Sequence, residues 1–178
     1  MIIKLFNRAR QFVVGMFSFY TKKDEEFAAS YLNIQEMALF NQLPGFEKKH
    51  CVRVAKRMLK IVHANPDLDE RKIVKLGLLH DIGKISERNT TFTKAWLVVV
   101  RYFFPKHYNK IADLGETDQK YRRYYVHKHH GRIGAQLLAK MGESSEFLSI
   151  ISKHDPYVEP LGQDAPLELK ILQQADTY

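Results

Sequence analysis

An apolar run that ends in an adjacent imidazole and carboxylate constrains this chain more than any other stretch: Lys75-Leu76-Gly77-Leu78-Leu79-His80-Asp81-Ile82-Gly83-Lys84. The spacing predicts a helix that ends in His80 and Asp81, with Gly83 stopping it in a left-handed conformation. Burying either polar group without a partner costs several kcal/mol. A bound metal would compensate both, so the question is whether other elements supply further ligands.

The rest of the 178 residues read as helix and loop. Asp24 and Asn33 are suited to cap two short helices, the second turning Ile34, Met37, Ala38 and Phe40 inward. After Pro44-Gly45 a helix over 46–63 presents Cys51, Val54, Ala55, Met58, Leu59 and Val62 to a core, with its lysines and arginines outside. Asp69 can cap the helix that carries His80. Thr90 or Thr91 can cap another over 92–104, ended by Pro105, although its β-branched residues also suit a strand. The tyrosine-rich, basic stretch 106–128 fits a helix with tyrosines inward and charges outward. A helix over 131–141 stops at Gly142, Ser144 caps one reaching His154, and Pro166 opens the last, which reaches Asp176.

Residues 1–20 have their own pattern. Ile2, Leu5, Phe6, Ala9, Phe12, Val13, Met16, Phe17 and Tyr20 recur at helical spacing, opposite Lys4, Arg8, Gln11 and Ser18. We expect an amphipathic helix packed on the domain; a basic amphipathic helix can alternatively lie on a membrane surface. No run approaches the roughly 20 apolar residues of a membrane span, and no small-residue cleavage site follows the apolar stretch. The single cysteine, Cys51, excludes an intramolecular disulfide framework and fits a reducing cytoplasm. A formal charge of +8 predicts attraction to anions, with basic residues dispersed rather than gathered in a tail.

His50, His80-Asp81, a histidine of 127–130, His154 and Asp176 thus fall near or at the ends of successive apolar helices. Imidazole and carboxylate without thiolate suit a divalent ion of Fe, Mn, Zn, Co or Ni rather than Ca or a thiolate-bound structural zinc.

The residues resemble the HD-domain superfamily of metal-dependent phosphohydrolases, in its HDIG subgroup. The resemblance rests on His50-Cys51-Val52-Arg53-Val54-Ala55, Leu79-His80-Asp81-Ile82-Gly83-Lys84, His130-Gly131-Arg132-Ile133-Gly134-Ala135, Ile150-Ile151-Ser152-Lys153-His154 and Ile171-Leu172-Gln173-Gln174-Ala175-Asp176. It implies an all-α helical bundle around a metal centre over 34–178, with 1–33 as an N-terminal helical extension. It also implies that His50, His80, Asp81 and Asp176 hold one metal, and that Asp81 bridges to a second held by His130 and His154. His127 is the runner-up to His130; His129 is expected to face away, and His63 and His107 match no position.

Two metals can share a hydroxide and present it to phosphorus, with Lys84 neutralising a phosphate oxygen. The expected activity is therefore hydrolysis of a phosphomonoester or phosphodiester, on a nucleotide or related small phosphorylated compound. The alternatives are a pyrophosphohydrolase of alarmone or dinucleoside-polyphosphate type, and a non-enzymatic regulatory module that binds RNA or membrane. The branch of the superfamily that cleaves cyclic dinucleotides carries a His-His pair and a Gly-Tyr-Pro signature. Lys153-His154-Asp155-Pro156 lacks both, which counts against cyclic-di-GMP.

Overall fold

The computed structural model describes residues 19–87 and 90–177. Among these the chain is all-α: nine α-helices, two short 3-10 turns and no strand. The helix expected over residues 1–20 falls almost wholly outside the described residues.

The helices are α1 (Lys22–Tyr31), α2 (Ile34–Phe40), α3 (Gly45–His63), α4 (Glu70–Leu79), α5 (Thr91–Phe103), α6 (Pro105–Leu114), α7 (Arg122–Ala139), α8 (Ser145–Lys153) and α9 (Leu167–Thr177). The 3-10 turns are Ile82–Ser86 and Gln119–Tyr121. α3 and α4 form the central pair, and α9 closes over α3. The 3-10 turn after α4 packs on α7, which in turn packs on α8. The main core is the apolar stripe of α3 (Cys51, Val54, Ala55, Met58) against α4, α8 and α9. Val100, Tyr108 and Ala112 form a separate small core where α5 and α6 meet α7.

Close helix approach at glycines makes this geometry possible. A Cβ on Gly77 would lie 2.7 Å from Ala55 Cα, so α3 and α4 meet nearly backbone to backbone. Gly83 has the same role. Its expected left-handed turn is not formed: the one positive φ among the described residues is at Gly142. Instead the chain continues from α4 into the 3-10 turn, and a Cβ on Gly83 would overlap the His130 carbonyl and come within 2.7 Å of Gly134 N.

Three other expectations change. Thr21, not Asp24, caps α1: Asp24 N–H donates to Thr21 Oγ1, and Asp24 Oδ2 accepts from Thr21 N–H at 3.0 Å in a capping box. α2 is rotated from its expected periodicity, with Ile34 89% exposed and Ala38 outside, while Leu39 and Phe40 are buried. Asn33 and Glu36 form its capping box, and Lys75 then pairs with the buried Glu36, which turns that face inward. Finally, Pro105 opens α6 as well as closing α5, because its missing N–H costs nothing in a first turn, and α7 begins at Arg122, well before Gly131.

Asp24 also ties α1 to α3, accepting from Lys49 at 2.6 Å and Lys56 at 3.1 Å. Burial raises its pKa, but the bonds from Lys49, Thr21 and Lys56 outweigh that and hold it below the usual carboxylate range. A lowered folded pKa stabilises the fold above the unfolded value of about 4 and ceases to do so as pH falls through the folded one. We therefore expect Asp24→Asn to cost about 2 kcal/mol at pH 7, with wild type and variant converging as the pH of the denaturant titration is lowered below 4. An equal difference at pH 7 and pH 2 would show that the charge is not responsible.

Candidate metal centre

α3 carries His50, α4 ends at His80-Asp81, α7 carries His130, α8 ends at His154, and α9 carries Asp176. His80, Asp81, His130 and His154 are buried, while His50 and Asp176 are partly exposed, so the centre opens on their side. All six sequence-derived positions converge. Asp81 stands between them: its Oδ2 faces His80 Nε2 at 3.4 Å and His50 Nε2 at 3.6 Å, and its Oδ1 faces His130 Nε2 at 3.2 Å and His154 Nε2 at 3.6 Å. Asp176 Oδ1 lies 2.9 Å from His50 Nε2 and 3.8 Å from His80 Nε2. Among the described residues two groups have donor atoms close enough to hold an ion, His50-His80-Asp81 and Asp81-His130-His154.

Local backbone chemistry sets the histidine tautomers. His80 Nδ1–H donates to Gly77 O at 2.9 Å, His130 Nδ1–H to His127 O at 2.9 Å, and His154 Nδ1–H to Ile151 O at 2.7 Å. Each ring bonds the carbonyl three residues back. For His80 and His154, which cap their helices, this satisfies a last-turn carbonyl lacking a helical partner. The bonds assign the proton to Nδ1 and leave the Nε2 lone pairs pointing into the centre.

That arrangement fits a divalent cation. His80 Nε2 is fully buried and has no hydrogen-bond partner among the described residues. His130 and His154 bring two Nε2 atoms within 3.1 Å of each other, where facing lone pairs repel unless a positive charge lies beside them. Burial depresses the pKa of His50 and His130, favouring the neutral ring that ligates metal. His80 is buried too, yet Asp81 and Asp176 raise its pKa, so the field at that point favours positive charge. Burial opposes ionisation of Asp81, but the Lys84 ammonium beside it keeps it a carboxylate.

Lys84 follows the 3-10 turn back to the centre, with Nζ 2.5 Å from Asp81 Oδ2 and 3.6 Å from Glu47 Oε2. Burial disfavours its charge, but Asp81 and Glu47 raise its pKa above that of an ordinary lysine. Lys94 of α5 pairs with Glu47 at 2.8 Å. Sequence reading missed Glu47, which lies three residues before His50 and so shares its face of α3, and Lys94, which has no local signal. Both line a cleft of about 370 Å³, counting its open mouth, with Lys84, Phe46, Leu97 and His127.

The remaining histidines sit apart from the two ligand groups. His127 is buried, with Nδ1 2.6 Å from Tyr108 OH. His129 packs on the Tyr125 ring, and His63 is an exposed partner of Glu70. His107 is exposed. Behind the centre Arg101 of α5 pairs with Asp155, the residue after His154, at 3.0 Å.

Fold and centre together define a class: an all-α protein with buried histidines and a shared aspartate that can hold divalent metal. The family description HD domain matches residues 48–178, so the chain belongs to the HD domain family, of the metal-dependent phosphohydrolase superfamily. No curated protein and no solved structure matches the chain.

Proposed function

We propose that this protein hydrolyses phosphate esters of a nucleotide or related small phosphorylated compound at a two-metal centre. The observation that carries the reading is the division of Asp81, whose two oxygens face two separate histidine groups. A carboxylate can bridge in this way; an imidazole cannot. His50, His80, Asp81 and Asp176 would hold one ion, and Asp81, His130 and His154 the other. The nitrogen- and carboxylate-rich set suits Fe, Mn, Zn, Co or Ni, and the Ile82-Gly83 step after His80-Asp81 supports the HDIG subgroup. Bound metal supplies an acidified water and an electrophile for phosphoryl oxygens.

The chain's own residues do the rest. Lys84 keeps Asp81 ionised and presents an ammonium at the cleft, where charge on a phosphoryl group can be neutralised. Lys94 adds a second cation at the mouth, and Glu47 holds both lysines in place. Phe46, Leu97 and Val126 give the cleft apolar walls.

The test is a panel of nucleotides and generic phosphomonoesters and phosphodiesters, assayed with metal-loaded, chelated and reloaded protein. We expect turnover that chelation abolishes and reloading restores. Lys94→Met is expected to raise KM about tenfold with a smaller change in kcat, the signature of lost substrate binding. Fully loaded protein that cleaves none of the panel would overturn the proposal. Release of pyrophosphate or of paired nucleotides would move the substrate to the anhydride class.

A further inference from the structure

The exposed face of α5 is apolar to a degree that the metal centre does not require. Phe92, Trp96, Val99 and Phe103 follow one another at spacings of four, three and four residues, forming one stripe along the helix. Phe92 is 81% exposed, and Trp96 and Phe103 are each 59% exposed. Val98, Tyr102 and Phe104 widen the stripe and are also exposed. Among the described side chains of this helix only Leu97 and Val100 are buried, and Lys94 and Arg101 turn to Glu47 and Asp155. A contiguous apolar surface of this kind marks an interaction site.

Its chemistry selects the partner. Tryptophan, tyrosine and phenylalanine are the side chains that settle at a membrane–water interface, with their rings among the acyl chains and any polar atom at headgroup level. The chain runs from Phe104 straight into α6, whose Lys106 and Lys110 are exposed, one turn apart, and in no ion pair among the described residues. Cations beside an apolar helix face complement anionic headgroups. Other occupants fit less well. A second copy would bring the same lysines and the same net charge of +8. Residues 1–18 contain Lys4, Arg8 and Arg10 and no acidic residue, so they add positive charge too.

We propose that α5 docks this protein on an anionic bilayer surface, with Phe92, Trp96, Val99 and Phe103 entering the interface and Lys106 and Lys110 contacting headgroup phosphates. α5 would then have two working faces, one toward lipid and one, through Lys94 and Arg101, toward the metal centre. The proposal is independent of the reaction catalysed.

Trp96 is the sole tryptophan and lies in the stripe, so its emission reports directly on the contact. The experiment mixes the full chain with vesicles of phosphatidylcholine alone, or with about one third phosphatidylglycerol, and records Trp96 emission and co-flotation. We expect flotation and a blue shift with the anionic vesicles only. Exchanging Phe92 and Phe103 for glutamate, both solvent-exposed positions, should cut vesicle binding more than tenfold without changing the melting temperature. Lys106→Glu with Lys110→Glu should weaken it and reduce its salt dependence. Four outcomes would overturn the proposal. The first is no binding to either vesicle. The second is binding without a Trp96 shift that survives Phe92→Glu with Phe103→Glu, which would assign the contact to residues 1–18. The third is a blue shift that grows with protein concentration in the absence of lipid, which would make the face an interface between copies. The fourth is emission already blue-shifted, independent of concentration and unchanged by lipid, which would mean that the chain's own N-terminal segment covers it.

Discussion

Asp81→Asn is expected to remove metal from the centre and abolish phosphate-ester hydrolysis. The substitution keeps the size of the side chain and changes its chemistry at both ends. Asp81 Oδ1 faces His130 and His154, and Oδ2 faces His50 and His80. An amide has one oxygen for one of these groups and turns an N–H toward the other, where the Nε2 lone pairs accept it and compete with metal. It also removes the anion 2.5 Å from Lys84 and leaves Glu47, at 3.6 Å, as that ammonium's one ion-pair partner among the described residues. Breaking a buried ion pair from one side costs about 3–5 kcal/mol, so thermal melting should accompany every assay. We expect elemental analysis of dialysed protein to show at least one fewer ion per chain than in wild type. The fall in kcat/KM should exceed the roughly 100- to 1,000-fold typical of losing one transition-state hydrogen-bond donor. If the variant stays folded and keeps both its full metal load and its turnover, Asp81 does not bridge.

Gly83→Ala should be the most damaging glycine-to-alanine change among the described residues. The added Cβ would overlap the His130 carbonyl and sit 2.7 Å from Gly134 N, both backbone atoms of α7 that cannot swing aside. Either the 3-10 turn carrying Lys84 or the segment of α7 carrying His130 must move. Overpacking costs about 1–3 kcal/mol where side chains can yield, and here none can, so we expect about 3 kcal/mol. For a domain of this size that lowers the melting temperature by about 10 °C. Metal affinity should fall as well, because His130 shares the displaced backbone. Gly142→Ala is the control. It has open space around the new methyl but a φ of 82°, so it should cost only about 1 kcal/mol and leave metal binding alone. If Gly83→Ala melts with the Gly142 variant, close backbone approach is not what sets the distance between the 3-10 turn and α7.

The fold class and the inventory of donors could be read before any coordinates because both rest on local signals. Helical periodicity is a property of short windows, and His80, His154 and Asp176 lie where apolar stripes end. α3 follows its expected stripe through Cys51, Val54, Ala55, Met58 and Val62. Failures arose where local signals were ambiguous or irrelevant. Ile34 looks like a core residue in isolation, yet α2 is oriented by Lys75, which reaches Glu36 from another helix. Gly83 after a helix suggests a left-handed stop, yet its missing side chain serves contact with α7. Glu47 and Lys94 look like ordinary surface charges until the fold sets Lys84 and Lys94 on either side of one carboxylate. His127 and His130, one turn apart on α7, look alike in sequence; Tyr108 takes the first ring, while the second points at Asp81.

The sequence by itself therefore determined that this protein is helical and that its imidazoles and carboxylates fall at the ends of apolar helices, since periodicity and spacing act over a few residues. Only the tertiary structure decided how those groups share their atoms. The division of Asp81 between two histidine groups, the hold of Glu47 on two lysines and the bare aromatic face of α5 all depend on where separate helices cross. Those crossings are set by packing at a few glycines and by ion pairs between distant residues, which no window of sequence contains.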